Sequence, residues 1–149
     1  MEFTMKGRCI VEGYAEGEAL VTNDAISFMG TIDPKSGYVI ERRHEIEGAC
    51  LKDKILVFPQ AKGSTGGSYM LYDVVKNGCG PRAIINIKAE SVVVIGAIVA
   101  ELPMVDQIDI SQLKTGDYIE LDATNGLVKV SRKDNKTLEN EASRNGEAV

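Results

Sequence analysis

The first third of the chain shows the hydrophobic pattern of short β-strands separated by turns. Apolar, β-prone runs recur at short intervals and are bounded by Gly, Asp and Pro. These candidate strands lie at residues 9–11, 19–21, 26–29 and 38–40. Residues 33–37 predict a tight turn, because Pro34 fixes one backbone dihedral and Gly37 permits a positive φ. The charged segment 41–47 is expected to face solvent.

The middle of the chain predicts a βαβ unit. Residues 55–58 are a continuous apolar run, which is typical of a strand that is buried on both faces. Residues 68–77 place apolar side chains at helical spacing, and Gly78 suits a helix C-terminus. Residues 83–87 form a second apolar strand. A strand, a helix and a further strand in this order imply two parallel strands joined by a crossover.

The segment 91–100 is ambiguous between a strand and a helix. Its many Val and Ile residues favour a strand by propensity. We favour a short buried helix, because a second crossover then delivers residues 103–105 as another parallel strand. Residues 109–116 predict a helical turn, with Asp109 or Ser111 as its cap.

The last regular pattern predicts a hairpin of residues 118–121 and 127–130. The Asn125-Gly126 pair between them is typical of a type I′ turn. Apolar periodicity then stops, and eight of the residues at 131–149 are charged, so we expect a disordered tail there. The chain is therefore predicted to be one α/β domain at 1–130, with a β-rich N-terminal part, followed by the tail at 131–149.

Composition and charge exclude several classes of partner. The 149 residues carry 17 Lys and Arg against 22 Asp and Glu, a formal net charge of −5. Clustered positive charge is what nucleic acids and anionic membranes require, so neither is an expected partner. The longest apolar stretch, residues 92–100, is too short to span a bilayer.

The three cysteines lie far apart, at positions 9, 50 and 79, and His44 is the only histidine. No familiar ligand spacing for zinc or for an iron–sulfur cluster is present, so we expect this chain to bind no metal by itself. An odd and sparse set of cysteines suggests a reducing compartment, and we expect a cytoplasmic location.

One segment has the composition of a ligand-binding loop. It runs from Lys62 to Ser68, Lys-Gly-Ser-Thr-Gly-Gly-Ser, between the predicted buried strand and the following helix. Ligands of parallel α/β sheets bind beyond the carboxyl ends of strands, and a helix N-terminus attracts anions. The alternative is a simple strand-to-helix turn in which Thr65 or Ser68 caps the helix. Spacing alone leaves both open, because neither a Walker A nor a GxGxxG pattern is present.

The same segment resembles the signature of the small subunit of the aconitase X family. The matching runs are Ile55-Leu56-Val57-Phe58-Pro59, Lys62-Gly63-Ser64-Thr65 and Gly67-Ser68-Tyr69. Further matches are Gly7-Arg8, Glu16-Gly17-Glu18-Ala19, Ser27-Phe28-Met29-Gly30, Asp33-Pro34 with Gly37, Leu102-Pro103-Met104-Val105-Asp106 and Leu113-Lys114-Thr115-Gly116. The resemblance covers about residues 6 to 130. Ala61 departs from it, because a Gly is expected before the Lys.

The resemblance implies a swivelling β/β/α domain similar to the mobile fourth domain of aconitase. It also implies a heterodimer with a large subunit that carries a 4Fe-4S cluster. The implied reaction removes water from (R)-5-phosphomevalonate in the archaeal mevalonate pathway, giving trans-anhydromevalonate 5-phosphate. Ser64 is the implied proton acceptor. We expect the rest of the loop to bind the phosphorylated hydroxy acid, through Lys62, Gly63, Thr65, Gly66, Gly67 and Ser68.

Three other functions fit parts of the sequence. One is dehydration of another hydroxy acid, such as cis-3-hydroxyproline, by the same kind of two-subunit enzyme. Another is a non-catalytic module that binds a small anion in the Gly-rich loop. The last is a phosphohistidine swivelling domain, which needs a His in that loop, whereas His44 lies in the charged segment.

Several polar residues outside the loop could contribute to a site, but each has a simpler explanation. His44 is expected in a solvated segment and Asp33 in a turn. Asp106 and Asp109 could pair as acid and base, although a strand end and a helix cap are the default roles.

Overall fold

The computed structural model describes residues 1–63 and 66–133. This part of the chain forms eight strands, two α-helices and two short 3₁₀ helices. The strands are β1 (Glu2–Lys6), β2 (Arg8–Val11), β3 (Tyr14–Val21), β4 (Ile55–Phe58), β5 (Ala83–Asn86), β6 (Met104–Asp106), β7 (Tyr118–Asp122) and β8 (Leu127–Ser131). The helices are α1 (Gly67–Lys76) and α2 (Ser91–Val99).

The strands form one continuous sheet in the order β1-β8-β7-β3-β4-β5-β6-β2. β3 joins its two parts, because its first five residues pair antiparallel with β7 and its last three pair parallel with β4. On one side of β3 the pairs are antiparallel, and on the other β4, β5 and β6 run parallel. The predicted βαβ unit is therefore confirmed.

Two apolar clusters divide the molecule into three layers. In β4, Leu56 and Phe58 pack with the helices α1 and α2, whereas Ile55 and Val57 pack with β7 and β8. All four side chains are fully buried. The parallel strands thus lie between a helical layer and a folded-over antiparallel layer, and the predicted β/β/α architecture is confirmed.

The second helix resolves the ambiguity at residues 91–100. α2 is helical in spite of its Val and Ile residues, and it leads into β6, which is parallel to β5. Gly96 lies against α1, where an added Cβ would be 2.9 Å from Leu71 Cδ2 and 3.1 Å from the carbonyl oxygen of Ser68. Close packing of the helices outweighs the strand propensity of the sequence. Neither α1 nor α2, the α-helices of the described residues, has the length and apolar character that a membrane span needs.

The strand prediction at residues 26–29 is wrong. Only Ile26 makes a β-bridge, to Ala61, and the chain then turns. The turn closes because the amide of Thr31 donates to the carbonyl of Ser27 at 2.9 Å, while the amide of Ser27 donates to Thr31 Oγ1 at 3.1 Å. Such side-chain bonds to the backbone compete with strand pairing.

Two further details of the strand prediction need correction. Residues 38–40 contribute only isolated bridges, from Tyr38 and Val39. The hairpin of β7 and β8 is confirmed, but it has no type I′ turn. A 3₁₀ helix, Ala123–Asn125, joins the strands and ends at Gly126 with φ +70°. Asp122 stabilises it by accepting a hydrogen bond from Asn125 Nδ2 at 2.8 Å.

The N- and C-terminal ends of the described chain meet in the antiparallel layer. Strand β1, which the sequence did not predict, pairs with β8. β8 ends at Ser131, and Arg132 lies against Asp117 at 2.7 Å. The remainder of the predicted tail, residues 134–149, lies outside the described residues.

Candidate functional site

The candidate site lies where the parallel strands end. The Gly-rich loop leaves β4 and leads to α1, and residues 87–90 leave β5 and lead to α2. The two connections are hydrogen-bonded to each other, because the carbonyl oxygen of Pro59 accepts from the amides of Ile87 at 3.0 Å and Lys88 at 3.2 Å. This edge is the usual place for ligands in a parallel α/β sheet.

The loop begins with a conformation that requires glycine. Gly63 has φ +89°, and an added Cβ would lie 2.7 Å from Ser27 Oγ. On the same side the amide of Ile26 donates to the carbonyl of Gln60 at 3.3 Å, and the amide of Lys62 donates to the carbonyl of Ile26 at 3.1 Å. The turn that replaces the predicted strand at 26–29 therefore supports the start of the loop.

Lys62 is held by an acidic side chain that the sequence did not single out. Its Nζ lies 2.7 Å from Glu41 Oε2. The second oxygen, Glu41 Oε1, accepts a hydrogen bond from Thr31 Oγ1 at 2.6 Å. The hydrogen bond from Lys62, with a further one from Thr31, lowers the pKa of Glu41 below its ordinary value. Glu41 is therefore a firmly ionised partner of Lys62.

Two helices begin beside this loop. The first residue of α1, Gly67, packs against α2, and an added Cβ there would be 3.1 Å from Val92 Cγ1. The N-cap residues of α1 and α2, Gly66 and Glu90, make no side-chain cap. The first turns contain no acidic residue. The partial positive charge of two helix N-termini is thus presented at one edge.

An open cavity of about 360 Å³ lies between the loop and the start of α2. Its lining within the described residues consists of Ala61, Lys62, Gly63, Glu90, Ser91 and Val92. Lys62 supplies a cation to this wall, whereas Glu90 supplies an anion that lies 3.9 Å from Lys88 Nζ. The cavity is therefore polar and open, as expected for half of a site.

The predicted site residues that the structure describes divide into two groups. Lys62 and Gly63 line the cavity, and Gly66, Gly67 and Ser68 form the N-terminus of α1. Gly66 is the N-cap residue of α1, so Ser68 is not its N-cap; the simple-turn alternative also named Thr65, and it stays untested. Ser64, the predicted proton acceptor, and Thr65 lie outside the described residues.

Asp106 is a structural residue that supports this edge. Its buried carboxylate accepts two hydrogen bonds from Arg8, at 2.9 and 2.8 Å, and one from the amide of Ala89 at 3.0 Å. Burial is the largest single influence and opposes ionisation, but these bonds together with the charge of Arg8 lower the pKa of Asp106. Asp106 thereby fixes the chain just before Glu90 and Ser91.

Asp109 and Asp33 have the default roles that the sequence indicated. Asp109 caps the 3₁₀ helix Ile110–Gln112 by accepting from the amide of Ser111 at 3.1 Å. Asp33 closes its turn by accepting from Ser36 Oγ at 2.7 Å, and that bond is the main cause of its lowered pKa. Asp106 is occupied by Arg8, so the acid–base pair of Asp106 and Asp109 finds no support.

The expectation for His44 is wrong, because the side chain is buried. Its Nε2 lies 3.0 Å from the carbonyl oxygen of Ala25, and the amide of Ile46 donates to Nδ1 at 3.3 Å. The neighbouring Glu45 accepts from Thr22 Oγ1 at 2.8 Å. The charged segment 41–47 therefore docks onto the loop's supporting turn. A buried, hydrogen-bonded His44 argues against the phosphohistidine alternative.

The cysteines do not gather into a metal site. Cys79 is buried, Cys9 and Cys50 are half-buried, and all three are free thiols. Burial is the main cause of the raised pKa of Cys79 and of Cys9. Among the residues that the model describes, no group of three or more His, Cys, Asp or Glu side chains could hold a metal ion.

Comparison with known proteins gives consistent matches over the whole described domain. The family model for the aconitase X swivel domain matches residues 4–130. The phosphomevalonate dehydratase small subunit of Methanosarcina acetivorans is 44% identical over 138 residues, which cover 91% of this chain and 96% of that protein. The protein of the same name from Thermococcus sibiricus is 49% identical over 126 residues, covering 85% of this chain and 97% of that protein.

A solved structure agrees with these sequence relatives. The holo-form crystal structure of Thermococcus kodakaraensis aconitase X contains a chain that is 46% identical and superposes with a TM-score of 0.85. The match covers 87% of this chain and 98% of that one. Fold, sequence and length therefore agree, and the chain belongs to the aconitase X swivel domain family.

Proposed function

We propose that this chain is the small subunit of a two-subunit hydro-lyase that removes water from (R)-5-phosphomevalonate, giving trans-anhydromevalonate 5-phosphate. Two relatives named phosphomevalonate dehydratase small subunit are 44% and 49% identical to this chain and are matched over nearly their whole length. One observation of this structure carries the proposal: the loop that carries Lys62 and the N-termini of α1 and α2, whose N-cap residues make no side-chain cap, meet at the end of the parallel strands. That arrangement suits a substrate with a phosphate and a carboxylate.

Lys62 and the helix N-termini would bind and orient the anionic substrate. Lys62 lines the cavity, and the amides at the start of α1 and α2 favour negative charge. Gly63 lets the loop backbone approach closely, because no Cβ separates it from its surroundings. The backbone groups are in place before substrate arrives, which is what electrostatic stabilisation requires. The ammonium of Lys62 is paired with Glu41 in this structure.

Ser64 is the proposed proton acceptor for the carbon next to the substrate carboxylate. A serine hydroxyl is a weak base in water and becomes effective only when its alkoxide is stabilised. The sequence places Ser64 directly after Lys62 and Gly63 and shortly before the start of α1. A nearby ammonium and helix amides are the groups that stabilise an oxyanion.

A 4Fe-4S cluster on the large subunit is part of the proposal. The described part of this chain offers no fitting set of ligands. Bound to the partner, the cluster would supply Lewis acidity for the departing hydroxyl. This chain would then complete a site that lies between two subunits. Three free thiols fit a reducing compartment, and we place the heterodimer in the cytoplasm.

Reconstitution with the large subunit tests this function. We expect the chain to co-purify with a larger, brown, iron-containing protein and to dehydrate (R)-5-phosphomevalonate only in its presence. cis-3-Hydroxyproline is the matched control substrate and should not be turned over. Full activity of the isolated chain, or turnover of cis-3-hydroxyproline in place of phosphomevalonate, would contradict the proposal.

A further inference from the structure

We propose that Glu41 is the resting partner of Lys62 and is exchanged for an anionic group of the substrate when substrate binds. The inference rests on the proposed function, because it concerns the same loop. It assigns Glu41 and Thr31 a role in setting the strength of substrate binding. The exchange leaves the lysine with one anion before binding and another after it.

Lys62 is fixed at both ends in this structure. Its amide donates to the carbonyl of Ile26 at 3.1 Å, and its ammonium contacts Glu41 at 2.7 Å. Lys62 lines the cavity, whereas Glu41 is not among the described residues that line it. The backbone of Lys62 therefore stays on the cavity wall while its ammonium is held by a residue from outside that wall.

The contact with Glu41 is easy to exchange. The side chain of Lys62 is 44% exposed and that of Glu41 is 29% exposed, so water screens the pair. Ion pairs of this kind contribute little stability. A doubly charged phosphate competes well for the same ammonium, because it offers more charge and several acceptor oxygens.

Thr31 keeps Glu41 satisfied after Lys62 has left. Thr31 is fully buried, and its hydroxyl donates to Glu41 Oε1 at 2.6 Å. The hydroxyl direction is fixed, because Thr31 Oγ1 also accepts from the amide of Ser27 at 3.1 Å. The carboxylate therefore keeps one strong hydrogen bond and access to water, and no buried, unpaired charge is created.

A purely structural role for Glu41 makes the opposite prediction. If Glu41 only fixed the loop, its removal would loosen Lys62 and weaken substrate binding. If it competes with substrate, its removal raises the fraction of Lys62 that is ready to bind, and apparent affinity rises. The sign of the effect separates the two roles.

The test uses the reconstituted two-subunit enzyme with Glu41→Gln, Lys62→Gln and the double variant. We expect Glu41→Gln to lower KM for (R)-5-phosphomevalonate and the inhibition constant of inorganic phosphate by about two- to fivefold, as an exposed ion pair allows. The kcat is measured beside these constants, so that a change in binding is separated from a change in turnover. Lys62→Gln should raise both constants, and adding Glu41→Gln to it should change nothing further. Glu41→Ala serves as a second variant with the same expected sign.

Two results would overturn the exchange. One is an unchanged or raised KM and phosphate inhibition constant in both Glu41 variants. The other is tighter binding that persists in the Lys62→Gln background. If either occurs in an enzyme that still dehydrates phosphomevalonate, the proposed function stands and only the exchange fails. If the reconstituted pair has no dehydratase activity, both fail together.

Discussion

The two parts of the sheet bury similar cores but differ in what they present to solvent. On the parallel side, the connections from β4 and β5 emerge at one edge and lead into α1 and α2. On the antiparallel side, β7 and β8 are joined by a tight hairpin. Each side also contains a buried aspartate bound by an arginine, Asp106 with Arg8 and Asp117 with Arg132.

This difference explains where the candidate chemistry lies. Parallel strands direct successive connections to the same edge, so loop residues from distant parts of the sequence meet there. Antiparallel neighbours place alternate connections at opposite edges and leave no such gathering of helix N-termini. The antiparallel side therefore serves as a scaffold, while the parallel side holds the candidate site.

The largest expected effect comes from truncating a core side chain on each side of the sheet. Only the truncation next to the loop should also lower activity. Phe58→Ala in β4 should cost about 3–5 kcal/mol of unfolding free energy, since Phe58 is fully buried. It should also lower activity at temperatures where the variant is folded. The reason is that the ring of Phe58 packs edge-on against that of Phe28, with ring centroids 6.2 Å apart, and Phe28 lies in the turn that supports the loop. Leu121→Ala in β7 is the control, with a cost of about 2–5 kcal/mol and unchanged kcat in the folded enzyme. Denaturant unfolding and steady-state kinetics measure both; equal kinetic damage in the two variants would contradict the division.

The two buried aspartates provide a matched pair. Asp106→Asn and Asp117→Asn should each cost about 1–3 kcal/mol, because each removes charged hydrogen bonds. Asp117 should cost more, since Arg132 is 22% exposed whereas Arg8 is 56% exposed and better screened.

The effects of the two substitutions on KM should have the opposite order, with the larger effect in Asp106→Asn. Asp106 holds the amide of Ala89 beside the cavity, so Asp106→Asn should raise KM while Asp117→Asn leaves it unchanged. Measuring KM for both variants in the reconstituted enzyme checks this. A raised KM in Asp117→Asn alone would be inconsistent with it.

Gly96→Ala should separate α1 from α2. The added Cβ meets Leu71 and the Ser68 carbonyl, so we expect about 1–3 kcal/mol of destabilisation from overpacking. Because the two helix N-termini then move relative to each other, KM should rise as well. Thermal unfolding and KM measured together check this expectation, and a stable variant with unchanged KM would refute the close contact.

The smallest expected effect is a loss of unfolding free energy at acidic pH. The folded pKa of Asp106 and of Asp117 lies below its ordinary value. For Asp117 burial is the largest single influence and opposes ionisation, but the bonds from Arg132 and from the amide of Lys114, with the charges of both residues, together lower the pKa. A lowered folded pKa stabilises the protein above the ordinary aspartate pKa of about 3.9, and this contribution is lost as pH falls through the folded value. Unfolding free energy should therefore begin to fall below about pH 5 and should keep falling until the pH is below the folded pKa of each aspartate. The drop should be smaller in the double Asp→Asn variant, and an equal drop would contradict the assignment.

The regular elements of the parallel side were readable from the sequence. The fully apolar run of β4, the helical spacing in α1 and the stop at Gly78 each have a local physical cause. The turn at Ser27 and Thr31 was misread as a strand, because its side-chain hydrogen bonds are invisible to an apolar pattern.

The candidate site was only half predictable. Lys62 and Gly63 stand out in a short loop, but Glu41 and Thr31 reach the loop through tertiary contacts from a segment that reads as solvated charge. The burial of His44 was missed for the same reason. Long-range polar contacts depend on how elements pack, and no local spacing encodes them.

The most direct measurement compares one serine from each side of the molecule. Ser64→Ala in the loop and Ser131→Ala at the end of β8 are each assayed for dehydration of (R)-5-phosphomevalonate after reconstitution with the large subunit. We expect Ser64→Ala to lower kcat at least about a hundredfold, as loss of a proton acceptor does, with subunit assembly intact. Ser131→Ala should retain full activity. Wild-type turnover by Ser64→Ala would contradict the central claim that this loop supplies the catalytic base.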